Sequence, residues 1–591
     1  MLLVGPTLPL HAGQQDTTVA RDSVVGIDSS VVQDTSVVGP FRERLPLPEY
    51  VLESPSGPLT PGSRYVFTRD SVNWSTAHTL SDLISTIPGV YVARAGWIGQ
   101  PEYAQFGGRA GSGIEIYWDG VPMYAVGGDS LFMDPGTFYL RYLRRVDVEV
   151  LPGLLRVYLM SERHNQASPR SLVRITPGSF STATYTGLFQ TRWQSGITLD
   201  VAAQYVEADG FAGDIRKDRL FDVWAKVGWI PAPGVSVAYQ IRRQDIESDP
   251  KLTTDGGDGV AGRFGTRQDA LFTLSTAGSG GLGLFTNLGL AFTSWSPDSA
   301  VAVPEQNIRQ VFAGLQYKRR TWSAEVRGAF ADQRHPFRVD GRLGWVPIPG
   351  VVLSGGAEWL QHEGDRTSTR LHGSAGLYRG PFALVADVAQ GSWVRAPVIM
   401  SDTAIATFDS GLRFHMTGRP LAGHVGLVRR DAFAPLAYPN LLAVPTFAPS
   451  TKADYIVAAV QFRPTASLTF SGWYSDPLRG ESADLQPPKH GRAQITFRSK
   501  FWRTFRSGAF DFKLQVATES WSGGTAGLDA QGAPIALDGA TFWEYHVAVN
   551  LLNFTAYWNL RNARLSDAVY IPGLAYPKNA QSFGVTWAFA N

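Results

Sequence analysis

Few side chains in this sequence are spaced for chemistry, and those that are point to binding rather than bond-making. Ten histidines are scattered along 591 residues, and no H-E-x-x-H or Cys/His pattern accompanies them. His415 and His424 could face each other across a hairpin; two isolated wall histidines is the plainer reading. Asp255-Gly256-Gly257-Asp258-Gly259 has the composition of a calcium loop without its spacing or terminal Glu, and reads as a flexible external loop. No Ser or Asp is patterned with a His and an orienting acid, so a hydrolase reading has no candidate nucleophile. No metal site, no cofactor and no enzymatic activity are expected. Tyr438, Phe447, Trp521 and Phe542 fall in or beside Gly/Pro-rich passages. Such rings stack on a ring-bearing or chelate ligand, or anchor loops at a membrane interface.

The composition narrows what could present those rings. Charged residues are 18% and aromatics 12%, with 62 Gly, 37 Pro, no Cys and a formal charge of +2. That is too aromatic and too weakly charged for a disordered chain. Nine lysines leave 44 arginines of the 53 basic residues; an Arg excess suits bidentate carboxylate contacts, or reflects codon bias alone. The balanced charge, with no basic stripe, argues against a nucleic-acid partner. No run of 18 or more apolar residues exists for a membrane-spanning helix. A membrane protein lacking one must close its backbone hydrogen bonds in a barrel.

Four segments are expected. Residues 1–13 have the apolar core and small-residue end of a secretory signal, without the usual positive start. Residues 14–64 are rich in Asp, Ser, Thr, Val and Pro and read as an extended periplasmic arm. Its short apolar bits could add as strands to a partner's sheet edge, or be linker. Residues 65–178 read as a mixed α/β unit. Tyr65-Val66-Phe67 is a strand; Thr79 caps a helix with Leu80, Leu83, Ile84 and Ile87 at helical spacing. Asp82 stands at the third helical position, and Pro88-Gly89 ends the helix. Further strands are expected at Val90–Val92, Ile114–Trp118, Arg145–Val150 and Leu172–Ile175, around a glycine-rich passage from Gly96 to Gly113. Asp119-Gly120 reads as a plain hairpin turn.

From residue 179 onward the period is two. Leu199, Val201, Ala203 and Tyr205 oppose Thr198, Asp200 and Gln204; Phe510, Phe512, Leu514 and Val516 oppose Asp511, Lys513, Gln515 and Glu519. Phe583, Val585, Trp587 and Phe589 share one side of the last strand. A soluble sandwich would stop after roughly ten strands, so this persistence predicts an all-β transmembrane antiparallel barrel of about 22 strands, apolar outside and polar inside. Gly228-Trp229-Ile230-Pro231-Ala232-Pro233-Gly234-Val235 and Gly344-Trp345-Val346-Pro347-Ile348-Pro349-Gly350-Val351 read as one tight periplasmic turn used twice, with Trp at the interface. Asp249–Thr266, Ala432–Ser450 and Gly523–Gly539 are the longer, external connections, in a set of otherwise short loops.

On these residues the chain resembles the TonB-dependent outer-membrane receptors, in which an N-terminal α/β plug domain sits inside such a barrel. Asp82, Leu83, Ile84, Ile87, Pro88, Gly89 and Val90 fit the family's plug-helix motif; Gly107-Gly108-Arg109 matches its Arg-Gly element in reversed order; Asp119, Gly120, Val121 and Pro122 match its strand-turn signature. Val146–Gly153 is similar to its I-E-V-x-x-G-P step with the dipeptide inverted. The usual Gly-Gly closure of the plug is replaced by Arg156-Val157-Tyr158-Leu159 and Ser171–Ile175. The resemblance implies that Arg109 and neighbouring charges seat the plug against the barrel wall. It implies an outer-membrane location, assembly by the barrel-assembly machinery among lipopolysaccharide, and an extracellular iron–siderophore or similar chelate as cargo. It also implies coupling through TonB, with ExbB and ExbD. The TonB box would be Asp16-Thr17-Thr18-Val19-Ala20 or Asp34-Thr35-Ser36-Val37-Val38. The replaced closure and short loops leave a second reading open: a passive or structural surface barrel with a vestigial plug.

Overall fold

Alternation of apolar and polar side chains, carried through segment after segment, closes on itself. In the computed structural model, which describes residues 58–129, 131–209, 217–277, 282–298 and 304–590, 22 antiparallel strands form a closed barrel. The first, Arg170–Pro177, pairs with both Ala183–Arg192 and the last, Ala580–Ala590, so no edge is left for lipid to meet. Along Ile197–Asp209 the inward Thr198, Asp200, Ala202, Gln204 and Val206 are buried, and outward Ile197 is exposed. Phe583, Val585 and Trp587 are exposed together on the outer face of the last strand. The outer face is therefore an apolar band and the inner face a polar wall.

The strand-to-strand connections divide between two rims. One rim carries short turns, such as 193–196, 233–234, 346–350, 380–381 and 552–553. The other carries the longer ones, including 249–262, 394–404, 431–452, 480–489, 522–539 and 562–579. Both copies of the Trp-Pro-Gly turn lie on the short rim, where Trp229 and Trp345 are exposed. The three predicted long loops are on the opposite rim; those at 394–404, 480–489 and 562–579 were not anticipated. The segment Asp255–Gly259 belongs to a small ribbon, Lys251–Leu252 paired with Asp258–Val260, rather than to a featureless loop.

Within the barrel sits a five-stranded mixed sheet in the spatial order Arg64–Thr68, Leu143–Leu151, Leu154–Ser161, Ile114–Trp118 and Val121–Pro122. Only the Ile114–Trp118/Leu154–Ser161 pair is parallel. Leu80–Ile84 is the expected helix and packs Leu80, Leu83, Ile84 and Ile87 into the core beneath this sheet, with Val146, Val148, Leu155 and Val157. A hairpin of Val90–Arg94 and Glu102–Phe106 runs through the glycine-rich passage read as turns. One boundary is corrected: Leu172–Ile175, counted with the plug, lies in the first barrel strand. Its exposed Val173 and Ile175 alternate with Arg174, which faces inward and is buried, a barrel-wall pattern too short to separate from a plug strand by period alone. Residues 1–57, with the signal-like start, both TonB-box candidates (Asp16 to Ala20 and Asp34 to Val38) and nearly all of the arm, lie outside the described residues.

Candidate functional site: the plug–barrel interface and the closed mouth

The plug helix begins as its sequence requires. Thr79 precedes the first turn in extended backbone, and Asp82 reaches back to accept from the backbone N–H of His78 (2.8 Å) and Thr79 (3.3 Å). Its other oxygen accepts from Arg94 of the plug hairpin at 2.8 Å and Arg561 of the barrel at 2.7 Å. Burial alone would raise the Asp82 carboxyl; Arg561 and Arg94 overcome it and hold the group far below the usual range. Leu83 is buried, and the helix ends at Pro88-Gly89, where Gly89 takes φ 80° and Val90 starts the next strand. A side chain at Gly89 would be strained there.

Arg109 follows Gly107 and Gly108, both at positive φ. It donates to the carbonyl of Gly153 at 3.0 Å, pairs with Asp409 on the barrel wall, and lies 5.3 Å from the centroid of Phe433. Arginine and aspartate are both buried, so the arginine does join plug to wall.

Asp119 is more than a hairpin residue. It adopts φ 44°, and its buried carboxylate accepts from the Ser161 backbone N–H (2.9 Å) and hydroxyl (2.5 Å) within the plug, and from Lys226 (3.1 Å) and Gln240 (2.8 Å) of the wall. Burial opposes the charge, but Lys226 and then Arg163 and Ser161 keep the carboxyl well below its ordinary value. Gly120 completes the turn at φ 89°; Val121 pairs back on Trp118, and the Pro122 carbonyl accepts from Gln310 at 3.3 Å.

The strand that replaces the usual plug closure supplies the deepest contact. Arg156 bridges Glu115 of the plug (2.9 Å) and Glu358 of the wall (2.6 Å), while wall Arg338 pairs with Glu358 and approaches Glu115 at 3.5 Å. Two arginines and two carboxylates thus neutralise one another in a largely buried site. Tyr117 and Tyr158 stack beside them at 5.0 Å, and Arg342 closes on Glu149 at 2.9 Å. Glu115 and Glu149 are both lowered, the arginines outweighing desolvation. Removing one partner of such buried pairs is costly, so the interface is firm at rest.

The long-loop rim brings the candidate aromatics together. Tyr438, Phe447, Trp521 and Phe542 are all buried, in one cluster with Tyr570, Tyr576 and the plug's Tyr91, Tyr103 and Phe132. Phe542 stacks on Tyr570 at 4.8 Å, and Trp521 meets Tyr91 edge-on at 5.5 Å. The Tyr438 hydroxyl donates to the Ala104 carbonyl at 2.6 Å, and that of Tyr91 to the Tyr570 carbonyl at 3.2 Å. The loops fold inward onto the plug apex, which offers them apolar area that water does not, so the rings face the plug and not the exterior. A line of ion pairs joins this lid to the helix cap: Tyr570 and His490 bond Glu519, Glu519 neighbours Arg492, Arg492 pairs with Glu544, Glu544 neighbours Arg561, and Arg561 holds Asp82.

Sequence reasoning missed the wall partners Asp409, Glu358, Arg338, Lys226 and Arg561. Their inward position was readable from the alternation, but their plug partners were not. His415 and His424 do pair across a hairpin, with ring centroids 4.9 Å apart; among the described residues no third ligand joins them.

Comparison with known proteins agrees with this architecture. Residues 59–153 match the family described as TonB-dependent Receptor Plug Domain. The chain superposes on the ferric enterobactin receptor of Pseudomonas aeruginosa with a TM-score of 0.67 at 12% identity, covering 90% of this chain and 98% of that one. The copper transporter OprC gives 0.65 at 12%, covering 89% and 98%. The FrpB iron transporter of Neisseria meningitidis gives 0.66 at 10%, covering 89% and 99%. No curated protein matches by sequence. The chain thus carries a TonB-dependent receptor plug inside a 22-strand barrel of the same fold.

Proposed function

We propose that this protein is an outer-membrane receptor-transporter that binds an extracellular small molecule at its long-loop rim and admits it by energy-coupled displacement of the plug. The observation behind this reading is the interface itself: a plug with its own sheet lies in the lumen and is held to the wall by buried ion pairs. A lid of loop aromatics covers the plug apex. Cargo that opens the lid exposes Tyr91, Tyr103, Tyr438 and Trp521 together, a ring-lined floor suited to a flat or chelate ligand; the similar solved structures include a ferric enterobactin receptor, a copper transporter and an iron transporter. The same opening disturbs Tyr570 and Glu519, at the head of the ion-pair line to Asp82. The arm then engages TonB, with ExbB and ExbD, from the periplasm.

Binding of a purified periplasmic TonB domain to the folded protein, with and without residues 14–64, tests this. Arm-dependent binding is expected; absence of binding in both forms refutes energy coupling. The closed mouth favours one alternative, a plugged structural barrel, and a steady large conductance in lipid bilayers without TonB would refute the energy-coupled reading in favour of a passive pore.

A further inference from the structure

The two rims differ in charge as well as length. Among the short-rim turns the sequence places Arg319, Arg320, Arg419 and Arg463, and then Lys500, Arg503 and Arg506, with no Asp or Glu in any of them. The long-rim loops are mixed and carry Asp249, Asp255, Asp258, Asp332, Glu363 and Asp365. Three of these seven basic side chains share one turn, 500–509, which is the longest on its rim.

That turn, Lys500-Phe501-Trp502-Arg503-Thr504-Phe505-Arg506, makes one helical turn, with the N–H of Phe505 bonded to the Phe501 carbonyl at 2.9 Å. It folds outward instead of beneath the lumen. Phe505 stacks on Phe510 at 4.6 Å, and Phe501 lies 6.1 Å from Phe497 and 6.3 Å from Phe512, all on the lipid-facing side of their strands. Phe501, Trp502 and Phe505 are nevertheless 40%, 58% and 43% exposed, and Leu551, Leu552 and Phe554 of the next short turn extend the patch. Lys500 sits 5.4 Å from the Trp502 ring centroid. Neither it nor Arg503 nor Arg506 meets a carboxylate among the described residues.

We infer that turn 500–509 is a binding site for an anionic phospholipid of the leaflet at the short rim. The rings continue the apolar band and would lie along the acyl chains, while the three cations stand where phosphates lie, on a rim without competing acids. A soluble partner would require a face turned away from the bilayer, and these rings are turned toward it. The inference rests on the transporter reading only in calling this leaflet periplasmic.

The test uses the full chain in nanodiscs of equimolar phosphatidylcholine and phosphatidylglycerol, with lipids retained after transfer to detergent counted by native mass spectrometry. The parent should retain phosphatidylglycerol preferentially. Lys500→Gln/Arg503→Gln/Arg506→Gln should cut that preference by about tenfold or more, since each cation near an anionic surface adds separately. Phe501→Ala/Phe505→Ala should lower retention of both lipids. Equal retention by the parent, or an unchanged preference in the triple variant, overturns the inference. Heat-modifiable mobility verifies the fold, and TonB-domain binding on the same preparations separates failure of this inference from failure of the transporter reading.

Discussion

Asp82 is the residue through which the plug's own fold and its attachment to the wall are joined, so its neutralisation is the sharpest perturbation available. Asp82→Asn keeps the shape and an acceptor for the helix cap but removes the charge facing Arg94 and Arg561. Removing one partner of a buried pair costs about 3–5 kcal/mol. Here Arg94 keeps Glu102 and Arg561 keeps Glu544 at 3.7 Å, so neither cation is orphaned. The lower end, about 3 kcal/mol, is therefore expected. The chain has no cysteine, so Ala77→Cys, at a buried plug position, provides a single reporter of plug opening by maleimide labelling. With opening in rapid equilibrium, 3 kcal/mol raises the labelling rate roughly 100-fold. The double variant Asp82→Asn/Arg561→Gln should cost less than the sum of the singles, with a coupling of about 1 kcal/mol or more. Labelling within about threefold of the parent, or strict additivity, would refute the view that this pair ties plug to wall.

Two further outcomes follow from the same contacts. Asp82, Glu115, Asp119 and Glu149 are all held below the ordinary carboxylate value. The stability they contribute is thus complete above about pH 4 and is lost as pH falls toward their folded-state values. The urea midpoint of the plug, followed by near-UV circular dichroism, should decline as pH falls below about 4; a midpoint that rises on acidification below about pH 4 contradicts the assignment. At the mouth, Tyr438→Phe keeps the ring and removes the donor to Ala104. A loss of about 1 kcal/mol should speed amide exchange in loop 431–452 about fivefold, and unchanged exchange would mean the loop is not pinned there.

How much of this was legible in the sequence depended on whether a residue's partner was near it in the chain. The helix at Leu80–Ile84, the strands at Val90 and Ile114 and the barrel alternation are local patterns, and each is where its period placed it. The plug–wall contacts are not local: Arg109 and Asp409 are 300 residues apart and Arg156 and Glu358 are 202 apart. Period two says that Glu358 and Asp409 face inward, and nothing in it says which plug arginine each will meet. The same limit explains what was missed at two places. Asp119-Gly120 was a turn by composition, and its carboxylate became a hub only because Lys226 and Gln240 face it from the wall. The loop aromatics lie in or beside Gly/Pro-rich passages, and nothing local says that the plug apex presents Tyr91, Tyr103 and Phe132 beneath them, where burying rings against rings outweighs leaving both in water. Both arise from the plug being inside the barrel. A chain folded into its own lumen turns residues that would be surface in either half alone into the interface between them.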